Sequence, residues 1–156
     1  MSSSSAPVTL SSLEYMQGAT LAPLLLDPEE QPKIAIIDVR DSDHIGGNIA
    51  GSTWIPLNQL DARLPELLRT LKDKEKVVFH CMLSQQRGPK AALLYARSIQ
   101  SLKAKEDKQQ ARQDSEDAEQ KTKQQVYVLQ GGFGQWQAEF GQDPRLTADY
   151  EPDIWL

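Results

Sequence analysis

The sequence predicts an α/β domain with a central parallel sheet and helices on both faces. Three observations carry that expectation. Ile34-Ala35-Ile36-Ile37, Lys76-Val77-Val78-Phe79 and Val126-Tyr127-Val128-Leu129 are short, largely apolar runs, the pattern of strands covered on both sides. Stretches with helical spacing of leucine and alanine alternate with them, and such alternation folds as parallel strand–helix units. A loop holding the only cysteine follows the second run, at the strand end where parallel sheets gather their ligands.

The elements follow in order. Residues 1–9 are serine-rich and read as a disordered tail, with no basic segment or long apolar core of a secretory signal. The domain is expected over 10–142. Ser11 or Ser12 is placed to cap a short helix through Leu13, Tyr15 and Met16, ending near Gly18. Leu24 to Leu26 lie between Pro23 and Pro28, so a helix there is brief. The first central strand ends in Asp38-Val39-Arg40. Gly46 to Ser52 form a turn-rich crossing into a second short strand, Thr53-Trp54-Ile55. Asn58 caps a helical stretch with Leu60 and Leu64, and Pro65 opens another with Leu67, Leu68 and Leu71.

After the strand ending at Phe79, a helix runs from about Gly88 to Leu102. Residues 103–125 carry almost no apolar side chain, and such a tract cannot offset its ordering entropy by burial. It reads as a flexible insertion, although its Glu and Lys spacing can extend the preceding helix into solvent. After the last strand, Gly131-Gly132-Phe133 turns into a helix with Trp136 and Phe140. Residues 143–156 form a tail without clear periodicity. Trp54, Phe133 and Trp136 are expected in the core.

Composition narrows the function. At 156 residues the chain fits one domain, and its net charge of −5 argues against a nucleic-acid binder. One cysteine excludes an intrachain disulfide framework and a cysteine-rich zinc site, so no metal is expected. No apolar run approaches a membrane span. Cytosol or nucleus is the expected compartment. The oligomeric state is not legible.

The chemistry concentrates in His80-Cys81-Met82-Leu83-Ser84-Gln85-Gln86-Arg87-Gly88-Pro89. A thiol and a guanidinium bracket five residues between a strand end and a helix start. Unpaired N–H groups and the positive end of a helix dipole collect there. The N–H groups of Met82, Leu83, Ser84, Gln85 and Gln86 form an anion-binding nest, and Arg87 adds a planar fork of donors. Helix N-termini and nearby cations favour a thiolate. A lone cysteine is more often a small buried hydrophobe, and this loop tips the balance toward catalysis. Asp41 and Asp43 are the nearest candidates for a general acid. His44 reads as a turn or surface histidine, Ser84 as a hydroxyl donor or a packing residue. His80 points away from Cys81 on a continuing strand and reads as an orienting residue.

Ile36-Ile37-Asp38-Val39-Arg40 with Gly46 to Ser52, the Cys81 loop, and Leu129-Gln130-Gly131-Gly132-Phe133-Gly134-Gln135-Trp136 together resemble a rhodanese-fold domain. Within that superfamily the chain is similar to the M-phase-inducer phosphatases and the eukaryotic arsenate reductases, over roughly 10–140. The resemblance implies Cys81 as nucleophile, Arg87 as oxyanion clamp, the loop backbone as oxygen cradle, and Asp38 and Arg40 as scaffold. It departs at Gln86, where the M-phase inducers carry an acidic residue, and at Asn48, where the family's turn has histidine.

The leading expectation is a cysteine-dependent protein phosphatase, of tyrosine or dual specificity, acting on a phosphoprotein or small oxyanion through a phosphocysteine and needing no cofactor. The alternative is arsenate reduction with glutathione or glutaredoxin as co-substrate, since the chain has no resolving cysteine. A non-catalytic phosphate-binding module and a sulfurtransferase are further alternatives. The intact Cys-to-Arg pairing speaks against the first of these, and the length of the loop against the second.

Overall fold

The computed structural model describes residues 8–109 and 124–155, with the helical backbone alone for 106–109. Among the described residues, seven strands and four α-helices follow in chain order: β1 Glu14–Met16, α1 Gly18–Leu26, β2 Ile34–Asp38, β3 Asn48–Ile49, β4 Thr53–Trp54, α2 Leu57–Thr70, β5 Lys76–His80, α3 Arg87–Gln109, β6 Gln125–Leu129, α4 Gly132–Phe140 and β7 Thr147–Ala148. Five strands form one parallel sheet in the order β1-β6-β5-β2-β4, with β5 at its centre.

The sheet is covered on both faces because its strands alternate in what they face. Ile37, Val77, Phe79 and Val128 pack with Leu60, Leu64 and Leu67 of α2 and Ala91, Ala92 and Tyr95 of α3. Ile34, Ile36, Val78 and Leu129 point the other way, onto Leu21 of α1 and Phe133 and Trp136 of α4. Among the described residues no helix is long and apolar enough to cross a membrane.

Several local expectations are corrected. The segment holding Tyr15 and Met16 is an edge strand, with Tyr15 opposite Val128 and Met16 opposite Leu129, rather than a helix. Pairing with β6 decides this, and helix α1 begins where the expected helix was to end. One helix, α2, replaces the two expected around Pro65. The ring removes one backbone hydrogen bond, while Leu60, Leu64 and Leu67 keep a single stripe against the sheet.

Residues 143–155, expected as a tail, fold back as well. Leu146 is buried, β7 pairs with β3, and the Trp155 indole donates to the Gly46 carbonyl at 3.1 Å. At the other end Arg97 donates to the Val8 carbonyl at 2.9 Å, which ties residue 8 to α3. Of the polar tract, 103–109 continue α3, residues 110–123 lie outside the described residues, and Gln124 is anchored. Its amide donates to the Leu71 and Lys74 carbonyls at 2.6 and 2.8 Å and its oxygen accepts from Tyr95 at 2.8 Å. Trp54 is 49% exposed rather than in the core. It lies across the rim, donating to the Arg40 carbonyl at 2.6 Å and stacking on His44 at 4.3 Å.

Candidate active site

The central strand delivers Cys81 to the C-terminal edge of the sheet, where it is almost fully buried. The chain then turns back on itself. Ser84 adopts a left-handed conformation (φ 57°), and its N–H donates to Cys81 Sγ at 3.2 Å. Gly88, in the first turn of α3, donates its N–H to the same sulfur at 3.3 Å. A helix start has no intrahelical acceptor for that donor. Two N–H groups and the start of the helix therefore converge on one sulfur. The Ser84 hydroxyl is buried and has no hydrogen-bond partner among the described residues.

The loop is held from outside by α4. Phe133 N–H donates to the Cys81 carbonyl at 3.0 Å and Gly134 N–H to the Met82 carbonyl at 2.8 Å. Gly132, at φ 61°, brings these donors close. A Cβ there would lie 2.5 Å from the Met82 oxygen and 2.7 Å from that of Cys81. Leu83 is exposed at the outer turn, Gln85 is exposed as well, and Gln86 accepts the Lys90 N–H at 3.0 Å in the helix it precedes.

His80 is fully buried, with Nδ1 3.0 Å from the Cys81 carbonyl oxygen. A carbonyl accepts only, so Nδ1 carries the proton of that contact. Burial pushes the His80 imidazole pKa down, against the pull of the Asp38 charge. A neutral, backbone-bonded ring cannot double as a proton donor to substrate at neutral pH. Its place is beneath the loop.

Asp38 and Arg40 form a fully buried pair, Arg40 Nη2 lying 2.6 Å from Asp38 Oδ2 and Nε 3.0 Å from Oδ1. Burial pushes the Asp38 carboxyl up, and the Arg40 hydrogen bonds together with the charge of Arg40 and the neighbouring His80 bring the pKa below its ordinary value. Arg40 also donates to the Gly47 carbonyl at 2.9 Å and lies 4.4 Å over the Phe133 ring. The pair joins the β2 end, the 41–47 turn and α4. Neither side chain reaches solvent.

The guanidinium of Arg87 does not stand free. Its Nη1 donates to Asp43 Oδ1 at 2.9 Å and its Nη2 to Oδ2 at 2.6 Å, in a bidentate pair about a third exposed on each side. The Arg87 hydrogen bonds hold the Asp43 carboxyl down to about 2, and Asp43 in turn pushes the Arg87 pKa above its already high value. Asp43, expected as one candidate general acid, is therefore a fixed anion at neutral pH. Asp41 is exposed and gives its N–H to Asp43 Oδ1 at 2.9 Å. His44 stacks on Trp54 with Nε2 3.4 Å from Asp38 Oδ2, and partial burial lowers its pKa. The role of Asp43 was not legible from the sequence, because 44 positions separate it from its partner. The α4 brace left one visible signal, the Gly131-Gly132 doublet before an aromatic helix.

A parallel α/β domain that sets its only cysteine between the end of the central strand and a helix start defines a narrow class of protein. The comparisons give it a family. The Rhodanese-like domain matches residues 21–139, and the chain belongs to that family. It is 38% identical over 131 residues to the CDC25-like phosphatase YCH1 of Saccharomyces cerevisiae, covering 77% of this chain and 76% of that one. It is 36% identical over 126 residues to arsenate reductase 2.2 of Oryza sativa subsp. japonica, covering 80% and 82%. Among solved structures, a yeast protein tyrosine phosphatase of the rhodanese family superposes with a TM-score of 0.67 at 32% identity, covering 96% of this chain and 99% of that one.

Proposed function

We propose that this chain is a cysteine-dependent phosphatase acting on phosphate monoesters of proteins or small molecules. One observation carries the reading above all. The Ser84 and Gly88 N–H groups converge on the Cys81 sulfur inside a loop that ends at Arg87. The sulfur attacks phosphorus in line, the ester oxygen leaves with the bonding pair, and a phosphocysteine remains. Water then attacks phosphorus, the S–P bond breaks, and the sulfur is regenerated. Arg87 and the loop N–H groups carry the equatorial charge in both steps. The names of the yeast phosphatase relatives support this reading.

Arsenate reduction is a second reading, favoured by the rice relative and by the absence of a second cysteine. Cys81 displaces an oxygen of arsenate, and a glutathione thiol attacks the Cys81 sulfur. The S–As bond pair stays on arsenic, giving arsenite and a mixed disulfide that a further thiol or glutaredoxin reduces. One experiment separates the readings. Turnover of 4-nitrophenyl phosphate, of arsenate with glutathione, and of thiosulfate with cyanide is measured for the wild type and Cys81→Ser. Aryl-phosphate hydrolysis that vanishes in the variant supports the phosphatase. Hydrolysis that persists removes Cys81 as nucleophile, and turnover confined to arsenate or thiosulfate moves the protein to that chemistry.

A further inference from the structure

Asp43 occupies one edge of the Arg87 guanidinium and leaves the other. A guanidinium has an end-on edge, formed by Nη1 and Nη2, and a side-on edge, formed by Nε and the second hydrogen of Nη2. Asp43 takes the end-on edge at 2.9 and 2.6 Å, and the side-on edge has no hydrogen-bond partner among the described residues. The carboxylate is itself built in. Asp41 N–H donates to its Oδ1 at 2.9 Å, Ile45 N–H donates to the Asp43 carbonyl at 2.9 Å, and the buried Arg40 reaches that carbonyl at 3.5 Å. The fixed partner sets the place of the longer, more mobile one.

We propose that Asp43 is a positioning residue for Arg87, fixing the guanidinium with its Nε–Nη2 edge presented to a tetrahedral oxyanion in the Cys81 loop. The inference rests on the oxyanion chemistry proposed above. A flexible arginine at a helix start samples many rotamers, and a bidentate grip on one edge removes most of them before the anion arrives. The cost is charge, since a carboxylate near a dianion repels it. The guanidinium lies between the two charges, so the grip outweighs the repulsion. A rival arrangement, in which Asp43 is a plug that substrate must displace, has the opposite sign. The Asp41 N–H bond to the carboxylate argues against a plug, because a displaced side chain would lose it while the main chain stayed pinned by Ile45 and Arg40.

The test is titration of tungstate, a non-hydrolysable oxyanion, into wild type, Asp43→Asn, Arg87→Ala and the double variant, beside kcat and KM for 4-nitrophenyl phosphate. Asn keeps the shape and removes the charge that holds Arg87. Asp43→Asn is expected to bind tungstate at least fivefold more weakly and to lose about tenfold in kcat/KM, mostly in kcat. In the Arg87→Ala background the same substitution is expected to change tungstate binding less than twofold, which a general loosening of the loop would not reproduce. Equal or tighter tungstate binding in Asp43→Asn overturns the proposal and makes Asp43 a plug or a bystander. A full loss that persists without Arg87 overturns it too. A wild type that binds tungstate but hydrolyses no ester strikes the phosphatase reading alone, and Asp43 is then judged on binding. A wild type that binds no oxyanion overturns both.

Discussion

Gly132→Ala is expected to cost far more than its size suggests, and to act on the Cys81 loop from 51 positions away in the chain. At φ 61° an L residue is strained by roughly 1–2 kcal/mol. The added Cβ would also stand 2.5 Å from the Met82 oxygen, 2.6 Å from its carbon and 2.7 Å from the Cys81 oxygen, all of them backbone atoms. Relief requires α4 and the loop to part, which breaks the Phe133-to-Cys81 and Gly134-to-Met82 hydrogen bonds, worth about 1 kcal/mol each. The sum is about 3–4 kcal/mol, or a fall in Tm of about 10 °C for a domain of this length. Gly131→Ala is the control. Its φ is 79° and its Cβ would crowd Gln135, 2.7 Å from the Gln135 Cβ, so it strains the start of α4 without meeting the Cys81 loop. Thermal unfolding and aryl-phosphate turnover of the two variants check this. Equal losses of turnover in the two variants, or a Gly132→Ala protein with wild-type turnover, would refute the claim that α4 holds the loop in shape.

Arg87→Lys keeps the charge and loses the fork, so turnover should fall at least tenfold, about 1.4 kcal/mol of transition-state stabilisation; unchanged vanadate inhibition would place Arg87 outside the site. The Asp43 carboxyl titrates lower in the folded chain, about 2, than in the unfolded one, so its pairing stabilises the fold above the ordinary carboxylate range and ceases to do so as pH falls toward 2. The Tm gap between wild type and Asp43→Asn should accordingly be full at pH 5 and close toward pH 2; a gap that widens on acidification refutes the assignment. Gln124→Ala leaves the Leu71 and Lys74 carbonyls and the Tyr95 hydroxyl short of a partner and should cost about 1–3 kcal/mol in urea unfolding. Replacing residues 110–123 with a Gly/Ser linker should leave that stability within about 1 kcal/mol, since their composition offers no core residue.

What was legible in the sequence was local. The strands at Ile34, Lys76 and Val126 announce themselves by contiguous apolar side chains, and both sheet faces follow from their alternation. Cys81, Ser84, Arg87 and Gly88 fall within one loop, so the sulfur's surroundings can be read from a single string. What failed depends on partners far away. Tyr15 and Met16 carry no strand signal of their own and become one against β6. Trp54 looks like core and is instead the platform for His44. Gln124 sits in a polar tract, yet its amide ties three elements together. The Asp43 grip is the same kind of fact, since neither residue's neighbours in sequence predict the other.

The brace from α4 also bears on when the protein becomes active during its own synthesis. Every side chain expected to touch substrate has been made by Arg87, together with the strand that carries the cysteine. The backbone donors that hold the Cys81 and Met82 carbonyls arrive only with Phe133 and Gly134, after the long polar tract and after β6 has slotted beside β5. A chain stopped at residue 123 would contain the sulfur and the arginine on a sheet lacking the strand next to its centre. Closing contacts over such sequence distances is slow compared with forming a helix. Catalytic competence is thus tied to completion of the domain, and a half-made chain carries its thiol without the enclosure that directs it.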